Sequence, residues 1–465
     1  MKTPHRHFKI IARTSLTTSN FTLSGIIFSI IFMLTLSSAQ LNKAHAGGFI
    51  HVDSRENPSG VPLVWGGNTI SWRADSGPLS NNVENAEALR WVEEAFNKWQ
   101  NVTIKNADGT AINTVNFSHN FLGTTTDDIV ASNFQNFVNE DQSTVIVFDQ
   151  DGSIFEANGL DKNSHVGLTM HLGFDENNNQ LSMGTIVFNG LMLDNGSLSL
   201  DSETAKKIYQ ATVVHEVGHL LNLDHGQTNL DIAESCDLGG DCSDEQFIPA
   251  MFPILKAQLQ EFLARDDKAV MSALYSNEAF LENFCLIKGK VEDAGNNPLR
   301  GVNVVASRVN DGEPLTRSDS RAFVSGALFP GCHPDSEYIL AAIVPGKEYQ
   351  VTFEPLFGSE GASGFEPLPD PPADFAPGNI LGPNGGTTVS CDVGGQTIVM
   401  QTVQIATANP CSFAGGETGS TPPGQPAADS GGSCALIKSQ EGLTAQPSAF
   451  LIPVFLLLLP GIFLR

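Results

Sequence analysis

The segment His215-Glu216-Val217-Gly218-His219-Leu220-Leu221-Asn222-Leu223-Asp224-His225 constrains this chain more than any other. His215 and His219 are four apart, and on a helix residues at that spacing lie on one face. Two imidazoles so placed can grip one metal ion. Glu216 sits beside the first, within reach of a metal-bound water as general base. His225 follows six residues after His219. Three neutral imidazoles leave the fourth position of a tetrahedral Zn²⁺ open for water, which is what a catalytic zinc site needs. A helix carrying surface histidines is the bland alternative. It does not account for the apolar residues between the ligands.

His225 reaches a metal held by the first two histidines only if the chain leaves the helix soon after His219. Continued helix would carry it about 600° round, at ~100° per residue, onto another face. Asn222 is the expected breaker: it stands where the metzincin pattern, which the segment resembles, turns with Gly, and Asn tolerates the left-handed region best after Gly. A positive φ is therefore expected at Asn222. Asn222→Gly should be nearly silent, and Asn222→Val should misplace His225.

The segment resembles the metzincin pattern H-E-x-x-H-x-x-G-x-x-H followed by a Met-turn. Asn222 departs from it, standing where most members have Gly. Ile248-Pro249-Ala250-Met251-Phe252-Pro253 looks like the Met-turn of the matrixin branch, with Met251 26 residues beyond His225. The resemblance implies a zincin catalytic domain of α+β class, a twisted mixed sheet plus an active-site helix. It also implies Met251 as a hydrophobic base beneath the zinc ligands, and protein or peptide substrates. In that family substrate adds to an edge strand of the sheet by main-chain pairing. An ordinary core methionine is the bland reading of Met251.

The chain has 465 residues, enough for two or three domains, and a net charge of −26. Such an acidic balance argues against nucleic acid as a partner, since phosphate binding needs a basic face. Residues 1–46 carry Lys2, Arg6, Lys9 and Arg13, then an apolar run from Gly25 to Leu36, then Ala44-His45-Ala46. This reads as a secretory signal peptide cut after Ala46. The apolar run falls short of the ~20 residues a membrane span needs. At the other end Gly431-Gly432-Ser433-Cys434 precedes an apolar run from Ala449 to Leu464 and a final Arg465. That layout resembles bacterial C-terminal sorting tails, so residues 449–465 are a candidate for membrane or envelope attachment. A secreted or cell-surface protein is expected.

Seven cysteines in an exported chain read first as disulfides. Cys236 with Cys242, Cys285 with Cys332, and Cys391 with Cys411 are plausible pairs, leaving Cys434 odd, although sequence alone does not fix connectivity.

Residues 47–280 read as one catalytic domain, able on its own to bind one zinc. Asn68–Arg73, Ser143–Phe148 and Gly184–Asn189 read as strands. Val83–Val102 has helical spacing through Ala86, Leu89, Val92, Ala95, Phe96 and Trp99. Ser202–Leu221 is the expected active-site helix, and the matrixin resemblance implies that 227–248 is a loop shaping the substrate pocket and 263–275 the closing helix. Asp149-Gln150-Asp151-Gly152 offers two carboxylates to Ca²⁺ but lacks the rest of an EF-hand loop, so a plain turn is favoured over calcium. His165 and His171 read as ordinary surface histidines. Residues 284–357 show short alternating strands with Gly and Pro turns and resemble prealbumin-like β-sandwich modules. Residues 358–448, rich in Gly, Pro, Ser and Thr, read as a linker with a little β structure.

Together these features point to an exported zinc endopeptidase in which His215, His219 and His225 hold the metal and Glu216 is the base. The alternatives are a catalytically inactive cell-surface binding protein acting through the β-sandwich, and a surface-anchored structural protein.

Overall fold

The computed structural model describes residues 48–52, 60–140, 143–175, 177–194, 202–237, 242–254, 258–310, 313–328, 336–356, 375–407, 409 and 432–435. The signal-peptide reading of 1–46 and the sorting-tail reading of 449–465 lie outside them. Among the described residues no helix is long and apolar enough to cross a membrane.

The first half of the chain builds a seven-stranded mixed sheet. Its strands are β1 (Val64–Trp65), β2 (Thr69–Ala74), β3 (Ser118–Thr124), β4 (Thr144–Asp149), β5 (His165–Asp175) and β6 (Gln180–Asn189), with a seventh from the far C-terminal part of the chain. The order runs from that C-terminal strand through β5-β6-β4-β2-β3, and β1 pairs with β6. β2 is parallel to β3 and β4, and β4 to β6, whereas β5 and β6 are antiparallel. Every residue of β4 is buried, as befits a central parallel strand covered on both faces. Alternate side chains go to opposite faces. Ile146, Phe148, Ile186 and Phe188 join the main core, while Val145, Val147 and Val187 join a second cluster with Phe134, Ile154 and Phe155.

The main-core face is covered by helix α1 (Asn85–Gln100) and helix α2 (Ser202–Leu220). α1 buries Ala88, Trp91, Val92, Ala95, Phe96 and Trp99. Ala86 is exposed and Leu89 only half-buried, so the face expected from spacing is rotated at its N-terminal end by Trp91. From Ala211 to Leu220, α2 is buried on all sides. That is why its segment reads as apolar with no solvent stripe. The expected pocket loop holds a helix, α3 (Leu230–Asp237), and Cys236 is bonded to Cys242. Helix α4 (Arg265–Leu274) closes this half.

The second half is all-β. One sheet combines β8 (Val302–Asn310), β9 (Glu313–Val324), β11 (Tyr349–Pro355), β12 (Gly378–Ile380) and β13 (Thr388–Val389). The other combines β7 (Cys285–Asp293), β10 (Glu337–Ile343), β14 (Thr397–Val399) and β15 (Val403–Ile405). Two expectations need correction. Residues 378–405 are not linker, because β12–β15 pair with β7 and β11 of the same sheets. Cys285 is bonded to Cys391 rather than to Cys332. β14 runs beside β7 with Thr397 opposite Leu286, and this brings the Cys391 loop to Cys285. Cys332 and Cys411 lie outside the described residues.

The two halves share one apolar core. Asp266 Oδ1 accepts from the Ala322 amide (2.7 Å), Arg265 Nη2 donates to Ala342 O (2.9 Å), and Asn303 Nδ2 donates to Gln227 O (2.9 Å).

Candidate metal centre

Helix α2 delivers His215, Glu216 and His219, and all three are fully buried. The helix ends in a Schellman motif. The Asn222 amide donates to His219 O (2.8 Å) and the Leu223 amide to Gly218 O (3.0 Å). Asn222 has φ 75°, the left-handed value the turn required. Its side chain does more than permit the turn. Oδ1 accepts from the His51 amide (2.7 Å), and Nδ2 donates to His51 O and Leu63 O (2.8 Å each). The N-terminal segment is thus fastened to the turn, and Phe49 bridges to Leu223.

The turn brings His225 back to the helix. His225 Nε2 lies 3.1 Å from His219 Nε2 and 3.2 Å from His215 Nε2. Nitrogens bound at ~2.0–2.1 Å to one tetrahedral Zn²⁺ sit about 3.3 Å apart, so the spacing fits that ion. The far side of two rings fixes their tautomers. His215 Nδ1 donates to Ala250 O (2.8 Å) and His219 Nδ1 to Leu223 O (2.9 Å), which turns both Nε2 lone pairs inward. Burial lowers the His215 pKa to about 4. Burial, with His215 alongside, holds His219 well below its usual value. Both are therefore neutral near pH 7, the form that binds metal. Among the described residues this trio is the one cluster of three or more His, Cys, Asp or Glu side chains able to hold an ion.

Met251 is buried against the helix. A Cβ on Gly218 would stand 2.3 Å from Met251 Sδ and 2.9 Å from the Trp99 ring, so Gly218 is what lets the methionine reach the helix backbone. Two anchors hold this turn. The Gly226 amide donates to Met251 O (2.8 Å), tying it to the His225 loop. The Asp267 carboxylate accepts from the Ala250, Met251 and Ala264 amides (2.9, 3.0 and 2.7 Å). Asp267 escaped the sequence reading, although an acidic pair opening a helix just past the Met-turn was its signal.

Strand β5 supplies what else was missed. Gly167, Thr169 and His171 alternate onto the face toward α2. A Cβ at Gly167 would lie 2.6 Å from Glu216 Cγ and 2.7 Å from its Oε1. The Thr169 hydroxyl donates to Glu216 Oε2 (2.5 Å). These neighbours fix where the carboxylate sits. His171 is no surface histidine. It is buried, Nε2 donates to Leu220 O (3.1 Å), and Nδ1 accepts from His51 Nε2 (3.1 Å). Burial lowers its pKa to about 4. With Trp65 Nε1 on the same Leu220 carbonyl (2.7 Å) and the Tyr275 hydroxyl on Leu221 O (3.2 Å), it satisfies carbonyls the helix end leaves over. His165 is half-buried. Asp149 gives its carboxylate to the Ile154 and Phe155 amides (2.9 and 3.1 Å), and Asp151 to that of Ser153 (2.9 Å), so these groups form a turn and a helix start.

Residues 64–235 match the Matrixin family, Peptidase_M10. The matched stretch contains strands β1–β6, helix α2 and all three histidines. No curated protein matches the chain. The mixed sheet and the match agree with a matrixin catalytic domain, and they support a zinc-dependent metallopeptidase, a hydrolase acting on peptides or proteins.

Proposed function

We propose that the protein is an exported zinc endopeptidase, in which His215, His219 and His225 hold the metal and Glu216 is the general base. The observation that carries this reading is the convergence of three buried Nε2 atoms beside a carboxylate held by Thr169. Bound there, zinc would supply Lewis acidity to the peptide carbonyl and lower the pKa of water toward neutrality. Glu216 takes the proton of the attacking water and passes it to the leaving amine. Thr169 orients the Glu216 carboxylate, and Gly167 gives it room. β5, beside α2, pairs with β6 along one edge and would offer the other, when that edge is free, to the main chain of an extended substrate. The sheets of 285–405 are read as a prealbumin-like sandwich and residues 1–46 as the export signal, with residues 449–465 as an envelope-sorting tail.

The test compares the purified chain with Glu216→Ala, with and without chelator, on a broad peptide library. The variant should keep one zinc per chain and lose several orders of magnitude in rate, because only the base is removed. Equal rates in the two proteins refute the assignment. The inactive binding-protein alternative predicts no chelator-sensitive cleavage at all.

A further inference from the structure

The outer edge of β5 already has an occupant. Gly432–Ala435 (β16) pairs with it antiparallel, with Gly432 opposite Thr169, Ser433 opposite Leu168, Cys434 opposite Gly167 and Ala435 opposite His165. Thr169 of β5 bonds the Glu216 carboxylate, and Gly167 of the same strand lies close against it. An extended substrate adding to this edge needs the same main-chain donors and acceptors. One strand edge pairs with one partner at a time.

We propose that Gly432–Ala435 is a built-in occupant of the substrate strand, so that the full chain is latent until the segment is displaced or removed. Four residues of strand pairing bind weakly as a free peptide. Covalent attachment changes the arithmetic. Twenty-six residues separate Ile405 from Gly432, and in sequence they read as a linker rich in Gly, Pro, Ser and Thr. Asn409, within that stretch, donates to Asp293 Oδ2 and Pro298 O, and covalent attachment over so short a separation gives an effective concentration near the millimolar range. A segment with a free dissociation constant of about 0.1 mM would then suppress activity about tenfold. The consequence for catalysis rests on the peptidase reading above, whereas the binding of the segment does not.

Three measurements test it. The full chain and a chain ending at Asp429 are compared on a quenched fluorescent peptide. The shortened chain should show about tenfold lower apparent KM with unchanged kcat. Ser433→Pro and Cys434→Pro are placed separately in the full chain. One of two adjacent strand amides faces β5, and proline removes it, so at least one variant should match the shortened chain. A synthetic peptide of residues 430–438 should bind the zinc-loaded Glu216→Ala form of the shortened chain, read by fluorescence anisotropy without any turnover. Peptide binding with no turnover in any protein would sink the peptidase reading and leave the strand assignment standing. Equal KM in full and shortened chains, no peptide binding, or Glu216-dependent cutting within 432–435 would each overturn the latent-strand proposal.

Discussion

Asn222→Gly is the substitution on which reasoning from sequence and from structure part company. If the residue serves only to adopt φ 75°, Gly should replace it at no cost, and should even relieve about 1 kcal/mol of left-handed strain. The structure gives the side chain three further bonds, one accepted from the His51 amide and two donated to His51 O and Leu63 O. Each is worth about 0.5–1.5 kcal/mol net, and more where a buried partner is left unsatisfied. Three such bonds less the strain relief leave a loss of about 2 kcal/mol. The loss falls on the turn that carries His225, so zinc affinity should drop with it. Urea unfolding of the metal-free protein measures the first quantity and chelator competition the second. Asn222→Val should be worse on both counts, because a β-branched residue resists positive φ. A Gly variant within about 0.5 kcal/mol of the parent, with undiminished zinc affinity, would show that the side-chain bonds contribute nothing and that backbone freedom alone explains the residue.

Gly167→Ala should keep zinc and lower kcat by at least tenfold, since the new Cβ would stand 2.6 Å from Glu216 Cγ and push the carboxylate away; single-turnover kinetics with metal analysis check it. Burial, with Asp267 alongside, raises the Asp266 pKa to about 8, so the folded state holds a proton that the unfolded chain releases near pH 4. Its stabilising contribution is complete below pH 4 and is lost as pH rises to 8, at about 1.4 kcal/mol per unit; Asp266→Asn should flatten that slope in melts from pH 5 to 9, and parallel curves would refute it. A chain ending at Asn283 should bind zinc more weakly than the full chain, because Gln227 O and Asp266 lose Asn303 and the Ala322 amide; equal affinity by chelator competition would show the halves to be independent.

What was legible follows from how local each constraint is. The three histidines, Glu216 and the helix break all sit within eleven consecutive residues, so helical geometry and one turn fix their relation. Strand β4 was legible because six successive buried residues leave little alternative. The partners of these groups were not, because they arrive from far along the chain. Thr169 is 47 residues from Glu216, His51 is 171 from Asn222, and Ala322 is 56 from Asp266. Such pairings depend on sheet order, which periodicity does not encode. His171 was misread for the same reason. A lone histidine in an alternating strand looks exposed until the helix that covers its face is known. The Cys285–Cys391 bond likewise followed β14 back to β7, although Cys332 was nearer in sequence.

The adjacent carboxylates Asp266 and Asp267 link the two halves of the molecule. Asp267 gathers three amides, two of them in the Met-turn, and Ala250 of that turn accepts from His215. Asp266 takes the Ala322 amide from the all-β half, and its Oδ2 would lie 2.2 Å from a Cβ on Gly226, directly after His225. Gly226 is therefore small because a buried acid from α4 occupies the space of its side chain. Each carboxylate touches a residue that is bonded to, or directly follows, one of the three clustered histidines, and helix geometry holds the two carboxylates together. A displacement of the all-β half would pull on Asp266, and through α4 on Asp267 and the Met-turn, so the first and third histidines would move with it. The all-β half then acts as part of the scaffold of the metal site, and its removal should be felt first as weakened zinc binding and only afterwards as loss of fold.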